Sequence, residues 1–200
     1  MPVNRYKWKI DKRFDPQQVE LILSAAGELE RYLDGILPNR GFDWIRKHTE
    51  GTRIHRGGLF TKIAASINKL PTSLVLPYMD IWLWENFDRF HLPKRHFLHE
   101  LGHVVENKLP KAFLSSPTIF GGGASDKLTR FLGGKPAGLR YINGTSGIPE
   151  RFHWHGVGKY GNHATADYFA EAFSWLPYDL GALPDPLVAQ WFKTEVFVWE

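Results

Sequence analysis

The sequence of 200 residues predicts a single α+β domain in which a small mixed sheet packs against helices. Helix-start signals recur along the chain, two short segments are rich in strand-forming residues, and the composition is that of a folded protein. Hydrophobic residues make up 43% of the chain and aromatic residues 14%, which predicts an aromatic-rich core. We expect an N-terminal helical part at 1–58 and a functional core at 59–200.

The first predicted helix runs from about Asp15 to Ile36. Asp15 has the N-cap position, Pro16 the first helical position and Gln18 the position of the capping-box partner. Apolar residues follow at alternating spacings of three and four, so that they form one stripe along the helix. We therefore expect this helix to pack on the core.

Two segments predict strands. RIHRGG, which starts at Arg53, predicts a short strand that ends at a pair of glycines. The segment SLVLPYMDIWLW carries β-branched and aromatic residues and predicts a strand interrupted near Pro77. Because proline cannot donate to a strand ladder, we expect the stretch from Leu74 to Trp84 at a sheet edge. An extended peptide substrate would bind there as a further strand.

Three more helices are predicted downstream. Pro93 opens one that ends near Lys108, a second covers about Thr165 to Leu176, and the pair Asp185-Pro186 repeats the helix-start signal. Between them, the segment 111–162 contains 11 of the 19 glycines and a single short helical pattern, ASDKLTRFL. We expect this loop-rich segment to form a wall of a cleft.

Composition and charge limit the classes of partner and location that we expect for this protein. The formal net charge is +4 and the basic residues are scattered, so we expect no nucleic-acid partner. No stretch approaches the ~20 apolar residues of a membrane helix, and the polar N-terminus does not resemble a secretory signal. We expect a monomer without a membrane segment, either cytoplasmic or exported without a cleaved N-terminal signal. The absence of cysteine excludes disulfides and thiolate metal ligands.

The segment HFLHELGH on the predicted helix after Pro93 contains the pattern H-E-x-x-H. On a helix, His99 and His103 project from one face, one turn apart, where both imidazoles can hold a single Zn²⁺. Glu100 can reach a zinc-bound water and act as its general base. A helix cannot bend a third such residue around the ion. We therefore expect His96 and Glu106 to be solvated or hydrogen-bonded to a ligand.

Two histidines leave a catalytic zinc one protein ligand short. The residues after Gly102 supply no third histidine at the metzincin spacing, so the ligand must come from another element. The segment YGNHATADYFAEAF supplies Asp167 and Glu171, which lie four residues apart on one helical face. Gly102 itself lets a neighbouring element approach the motif helix closely.

HELGH, Tyr160 and the run from Asp167 to Phe173 resemble the catalytic core of anthrax lethal factor-like metallopeptidases, a group that the clostridial Pro-Pro endopeptidases also resemble. In that family a tyrosine precedes the third zinc ligand by seven positions, so Tyr160 matches the tyrosine and Asp167 the ligand. The family normally carries Glu at the ligand position. The resemblance implies a zincin-like fold of the gluzincin type, with a small mixed sheet packed on the H-E-x-x-H helix and a downstream acid-bearing helix.

The resemblance also implies an activity, that of a zinc-dependent endopeptidase. Asp167 is the expected third ligand and Glu171 the alternative; if Asp167 binds zinc, Glu171 is expected to accept the free N–H of a liganding histidine. Tyr160 would donate to the oxyanion of the tetrahedral intermediate, with a loop tyrosine packed by its ring as the alternative. Two other functions stay open: an inactive, metal-binding interaction domain, and a secreted toxin or effector peptidase specific for one host protein.

Overall fold

The structure is a computed structural model that describes residues 4–57, 74–76, 80–109, 124–134, 165–178 and 186–198, with the backbone alone at 74–76 and 165–167. Helices and a small sheet alternate along the described chain, which confirms the predicted α+β class. In chain order the elements are β1 (Lys9–Ile10), α1 (Pro16–Asp34), α2 (Gly41–Thr49), β2 (Arg53–Arg56), β3 (Leu74–Leu76), β4 (Asp80–Leu83), a 3₁₀ turn (Phe87–Arg89), α3 (Pro93–Lys108), α4 (Ala124–Phe131), α5 (Thr165–Trp175), α6 (Pro186–Trp191) and a π-helical turn (Phe192–Val196).

Helix α1 begins as its capping signal predicts. The backbone N–H of Gln18 donates to Asp15 Oδ1 at 2.8 Å, and the Asp15 N–H donates to Gln18 Oε1 at 3.4 Å. The helix ends at Asp34, slightly earlier than expected, because the next amides bond to carbonyls only three residues back and tighten the last turn. Its apolar stripe is fully buried at Ile22, Ala26, Leu29 and Leu33.

The sheet has four strands in the order β1-β2-β4-β3. Strands β1, β2 and β4 run parallel, and β3 runs antiparallel to β4 with Val75 opposite Ile81. Two strands, β3 and β4, are described on either side of residues 77–79, and Pro77, where the interruption is predicted, lies outside the described residues. The expectation that the whole stretch from Leu74 to Trp84 lies at an edge is wrong for β4. Its backbone is paired on both sides, and Ile81 is fully buried, so within this stretch β3 alone lies at an edge, and β1 forms the opposite edge of the described sheet.

Helix α3 is the central element of the fold. It packs most extensively against α5, and it also contacts α1, α2 and the hairpin of β3 and β4. The expected aromatic core is present, with Trp8 edge-on to Phe97 at 5.7 Å between ring centroids. A second group of rings packs where α5 meets the C-terminal turn: Phe169, Phe173, Phe192 and Phe197. No helix among the described residues combines the length and the apolarity needed to cross a membrane.

Candidate metal centre

The H-E-x-x-H motif lies in the middle of α3, as predicted. Pro93 occupies the first turn of this helix, and the Leu109 N–H bonds back to the Val105 carbonyl at its end. The rings of His99 and His103 are both half-buried and lie edge to face, with centroids 5.0 Å apart. The helix therefore brings the two expected histidine ligands together on one face.

Helix α5 places a carboxylate on the first of these histidines. His99 Nδ1 lies 2.8 Å from Oε2 of Glu171, which is only 4% exposed. Burial would raise the pKa of Glu171, but the hydrogen bond and charge of His99 and the charge of Arg95 outweigh it and lower the pKa. Because Glu171 is ionised, Nδ1 of His99 donates the hydrogen bond, and Nε2 is left as the ring nitrogen that a metal can bind. The expected hydrogen bond between Glu171 and a motif histidine is thus present.

The other oxygen of Glu171 is held by a residue that the sequence reasoning missed. Arg95 Nη1 lies 2.5 Å from Glu171 Oε1 and donates to Ser174 Oγ at 3.0 Å. The guanidinium also stacks over Trp175, 4.7 Å from the ring centroid. Arg95 lies one turn before His99 on the same helix, and this i, i+4 spacing puts both side chains on the face where they contact Glu171.

Gly102 sets the distance between α3 and α5. A Cβ at this position would lie 2.9 Å from Ala170 Cα and 3.2 Å from Phe173 Cδ1. Contacts of this length with backbone are too short for a real Cβ atom, so any side chain would push the helices apart. The close approach expected at Gly102 is confirmed, and it is what lets Glu171 reach His99.

Three further polar residues of α3 are more buried than a solvated helix face: Glu100, His96 and Glu106. Glu100 is 2% exposed. His96 is half-buried, with its ring edge-on to Phe90 at 5.1 Å, and burial lowers its pKa. Glu106, which was expected to be solvated or bonded to a ligand, is 5% exposed and accepts from the Ser125 N–H at 2.9 Å. The expectation that Glu106 is solvated is therefore wrong. Helix α4 packs over it, and a backbone N–H of the first turn of α4 donates to its carboxylate.

The expected third ligand and the expected oxyanion donor lie where the structure describes no side chains. Asp167 lies in the first turn of α5, where only the backbone is described, and Tyr160 lies outside the described residues. Among the side chains that are described, no group of three His, Asp or Glu residues is placed to hold a metal ion. The complete ligand set therefore stays a prediction.

Comparisons with known proteins assign no family to this chain. The family resemblance of the motif therefore depends on the residues alone. No protein-family model, no curated protein and no solved structure matches the chain.

Proposed function

We propose that this protein is a zinc-dependent endopeptidase whose site is built on α3 and α5. The observation that carries the proposal is the 2.8 Å contact between His99 Nδ1 and the buried carboxylate of Glu171. A carboxylate at Nδ1 fixes the tautomer and the orientation of the ring, so that Nε2 is presented to a metal. Within an H-E-x-x-H motif, such a contact prepares the histidine to bind zinc.

The donor set suits zinc. His99 and His103 would bind the ion through imidazole nitrogens, and Asp167 would supply the carboxylate. Glu171 is the weaker candidate for this ligand because His99 and Arg95 already engage both of its oxygens. When bound, zinc lowers the pKa of a water toward ~7 and polarises the carbonyl of the substrate.

Glu100 would carry the proton during hydrolysis. It follows His99 directly on α3, and its near-complete burial shields the proton from exchange with bulk water. Glu100 would accept the proton of the attacking water and later deliver it to the leaving amine. Tyr160 would donate a hydrogen bond to the oxyanion that develops on the scissile carbonyl.

The sheet offers a place for the substrate. Strand β3 is an edge strand, and it contacts α3. An extended peptide added to its open side would hydrogen-bond through its backbone and run alongside the motif helix. Because β4 is paired on both sides, the substrate strand is limited to β3, Leu74–Leu76, and does not extend along the whole stretch to Trp84.

The proposal is tested by zinc content and peptide cleavage measured on the same preparations. The unmodified chain is expected to retain one equivalent of zinc after dialysis and to cleave a peptide library followed by mass spectrometry. Glu100→Gln keeps the size of the side chain and should retain zinc but lose cleavage, whereas His103→Ala should lose both.

Two outcomes separate the rival functions. Failure of the folded, unmodified chain to take up stoichiometric zinc would contradict the proposal. Zinc uptake without cleavage of any peptide would instead favour a metal-binding interaction domain.

A further inference from the structure

The guanidinium of Arg95 joins the first turn of α3 to the second half of α5. Its Nη1 lies 2.5 Å from Glu171 Oε1 and donates to Ser174 Oγ at 3.0 Å. Its central carbon lies 4.7 Å from the ring centroid of Trp175. Glu171, Ser174 and Trp175 share one face of α5, because they follow at spacings of three and four. One side chain of α3 is therefore bound at three points along a single face of α5.

The partners of Arg95 are buried and fixed in place. Ser174 is fully buried, and its hydroxyl donates to the backbone carbonyl of Glu171 at 2.7 Å. The side chain of Glu171 is 6% exposed and that of Arg95 is 19% exposed. Removal of one member of a buried ion pair leaves a charge that water cannot easily reach and that must find another partner. Arg95 therefore restricts where the carboxylate of Glu171 can point.

Glu171 divides its two oxygens between Arg95 and His99. Oε1 bonds to Arg95, and Oε2 lies 2.8 Å from His99 Nδ1. The terminal torsion of a glutamate has broad minima, so a single contact does not fix the plane of its carboxylate. With Oε1 held by Arg95, the direction of Oε2 is set, and Oε2 in turn orients the ring of His99. The orientation of His99 thus depends on Arg95 through Glu171.

The alternative role for Arg95 is an ion pair that only ties two helices together. Lys94, its neighbour in the first turn of α3, has such a role, because its Nζ lies 2.6 Å from Oε1 of Glu28 on α1. Neither Lys94 nor Glu28 bonds to a residue of the H-E-x-x-H motif in the described contacts. Arg95 differs in one respect, since its carboxylate partner also bonds to a motif histidine. Lys94 is therefore the matched control for Arg95.

We propose that Arg95 is a positioning residue of the metal centre and acts on His99 through Glu171. The use of this arrangement for zinc rests on the proposed function, whereas the contacts that carry it join residues of the chain alone. Arg95 holds Glu171 Oε1, Glu171 Oε2 holds His99 Nδ1, and His99 presents Nε2 to the metal. Loss of Arg95 weakens zinc binding without abolishing it, because the ring of His99 must then be ordered when the metal binds.

The test compares Arg95→Met with Lys94→Met in the full chain. Both changes remove a cation from the first turn of α3 and leave an unbranched apolar side chain. Zinc affinity, measured by competition with a chelator, should fall about ten-fold in Arg95→Met, the low end of the range for partners of a liganding histidine, and stay unchanged in Lys94→Met. Arg95→Lys keeps a charge and several donors on one nitrogen and should recover part of the affinity. The visible absorption of the cobalt(II)-loaded chain reports coordination geometry and should change in Arg95→Met but not in Lys94→Met.

A measurement without metal separates this inference from the peptidase proposal. The imidazole NMR signals of His99 in the zinc-free chain, assigned by their loss in His99→Phe, should shift in Arg95→Met and stay in place in Lys94→Met. Thermal unfolding first confirms that each variant is folded, and Arg95→Lys replaces Arg95→Met in both measurements if the latter does not fold.

The outcomes for the two proposals are distinct. Unchanged His99 signals in a folded Arg95 variant, an equal shift in Lys94→Met, or unchanged zinc affinity in Arg95→Met would overturn the role of Arg95. Zinc binding without peptide cleavage would count against the peptidase alone, and the ten-fold difference in affinity would still support the role of Arg95. If the unmodified chain binds no zinc, the proposed function fails and the NMR comparison alone decides whether Arg95 positions His99.

Discussion

Replacement of Gly102 by alanine tests whether backbone contact between α3 and α5 sets the geometry of the site. The added Cβ would lie 2.9 Å from Ala170 Cα and 3.3 Å from its Cβ, so one of the two helices must move. Overpacking of this kind costs ~1–3 kcal/mol, and the contact with backbone puts this case at the upper end. Alanine regains ~1 kcal/mol in helix propensity over glycine. We expect a net loss of ~2 kcal/mol in the free energy of unfolding, which lowers Tm by ~4–8 °C for a chain of this size.

Gly27→Ala is the matched control for this change. Gly27 lies inside α1, and the nearest atom to an added Cβ is Arg31 Nη1 at 3.9 Å, an ordinary contact with a flexible side chain. Only the propensity gain remains, so Gly27→Ala should stabilise the protein by up to ~1 kcal/mol. Urea unfolding followed by circular dichroism measures both variants. If Gly102→Ala stabilised the chain as much as Gly27→Ala does, the close approach of the two helices would be refuted.

Three further substitutions test other parts of the structure. Glu171→Gln removes the charge that holds His99, so zinc affinity, measured by competition with a chromogenic chelator, should fall ~10–100-fold; an unchanged affinity would remove Glu171 from the site. Burial raises the pKa of Glu106 to about 7 from its ordinary 4.5, so the unfolded chain loses this proton first and the folded state is penalised as the pH rises. The free energy of unfolding should therefore fall by ~3 kcal/mol from about pH 4.5 to pH 7, and urea unfolding of Glu106→Gln should lack this component, whereas identical pH profiles would count against a buried, protonated Glu106. Asp15→Ala removes the cap of α1 and should cost ~1 kcal/mol in thermal unfolding, while Asp15→Asn should retain most of the stability; equal losses in both variants would show that the cap is not the cause.

The elements that the sequence predicts well are those whose signals are local. The cap at Asp15, the proline at the start of α3 and the periodic apolar residues of α1 each act within a few turns of one helix. The pairing of two histidines four residues apart is local in the same sense, because helix geometry alone puts them on one face. Gly102 was also informative, since the absence of a side chain in the middle of a helix indicates a close neighbour.

The features that sequence reasoning missed depend on which distant elements meet. Glu106 is a charged residue of the kind that usually lies on a solvated helix face. It is buried here because α4 packs over it. The interior position of β4 follows from pairing with β2, a strand that comes much earlier in the chain. Arg95 combines a local signal with a contact that depends on a distant element. Its spacing from His99 was visible, but its partner Glu171 is 76 residues away.

The close packing at Gly102 also affects how far the length of the chain between His99 and Glu171 can change. His99 and Glu171 are 72 positions apart, so forming their contact closes a loop of that length. The entropy of closing a loop grows only with the logarithm of its length, and doubling the loop costs ~0.6 kcal/mol. Packing of α3 on α5 joins the ends of this loop, and α4, which belongs to the connection, is anchored on α3 by the Ser125–Glu106 hydrogen bond, so the length can change outside α4. Insertions in the connection would therefore alter the surroundings of the site at a small thermodynamic cost while the pair of His99 and Glu171 stays in place.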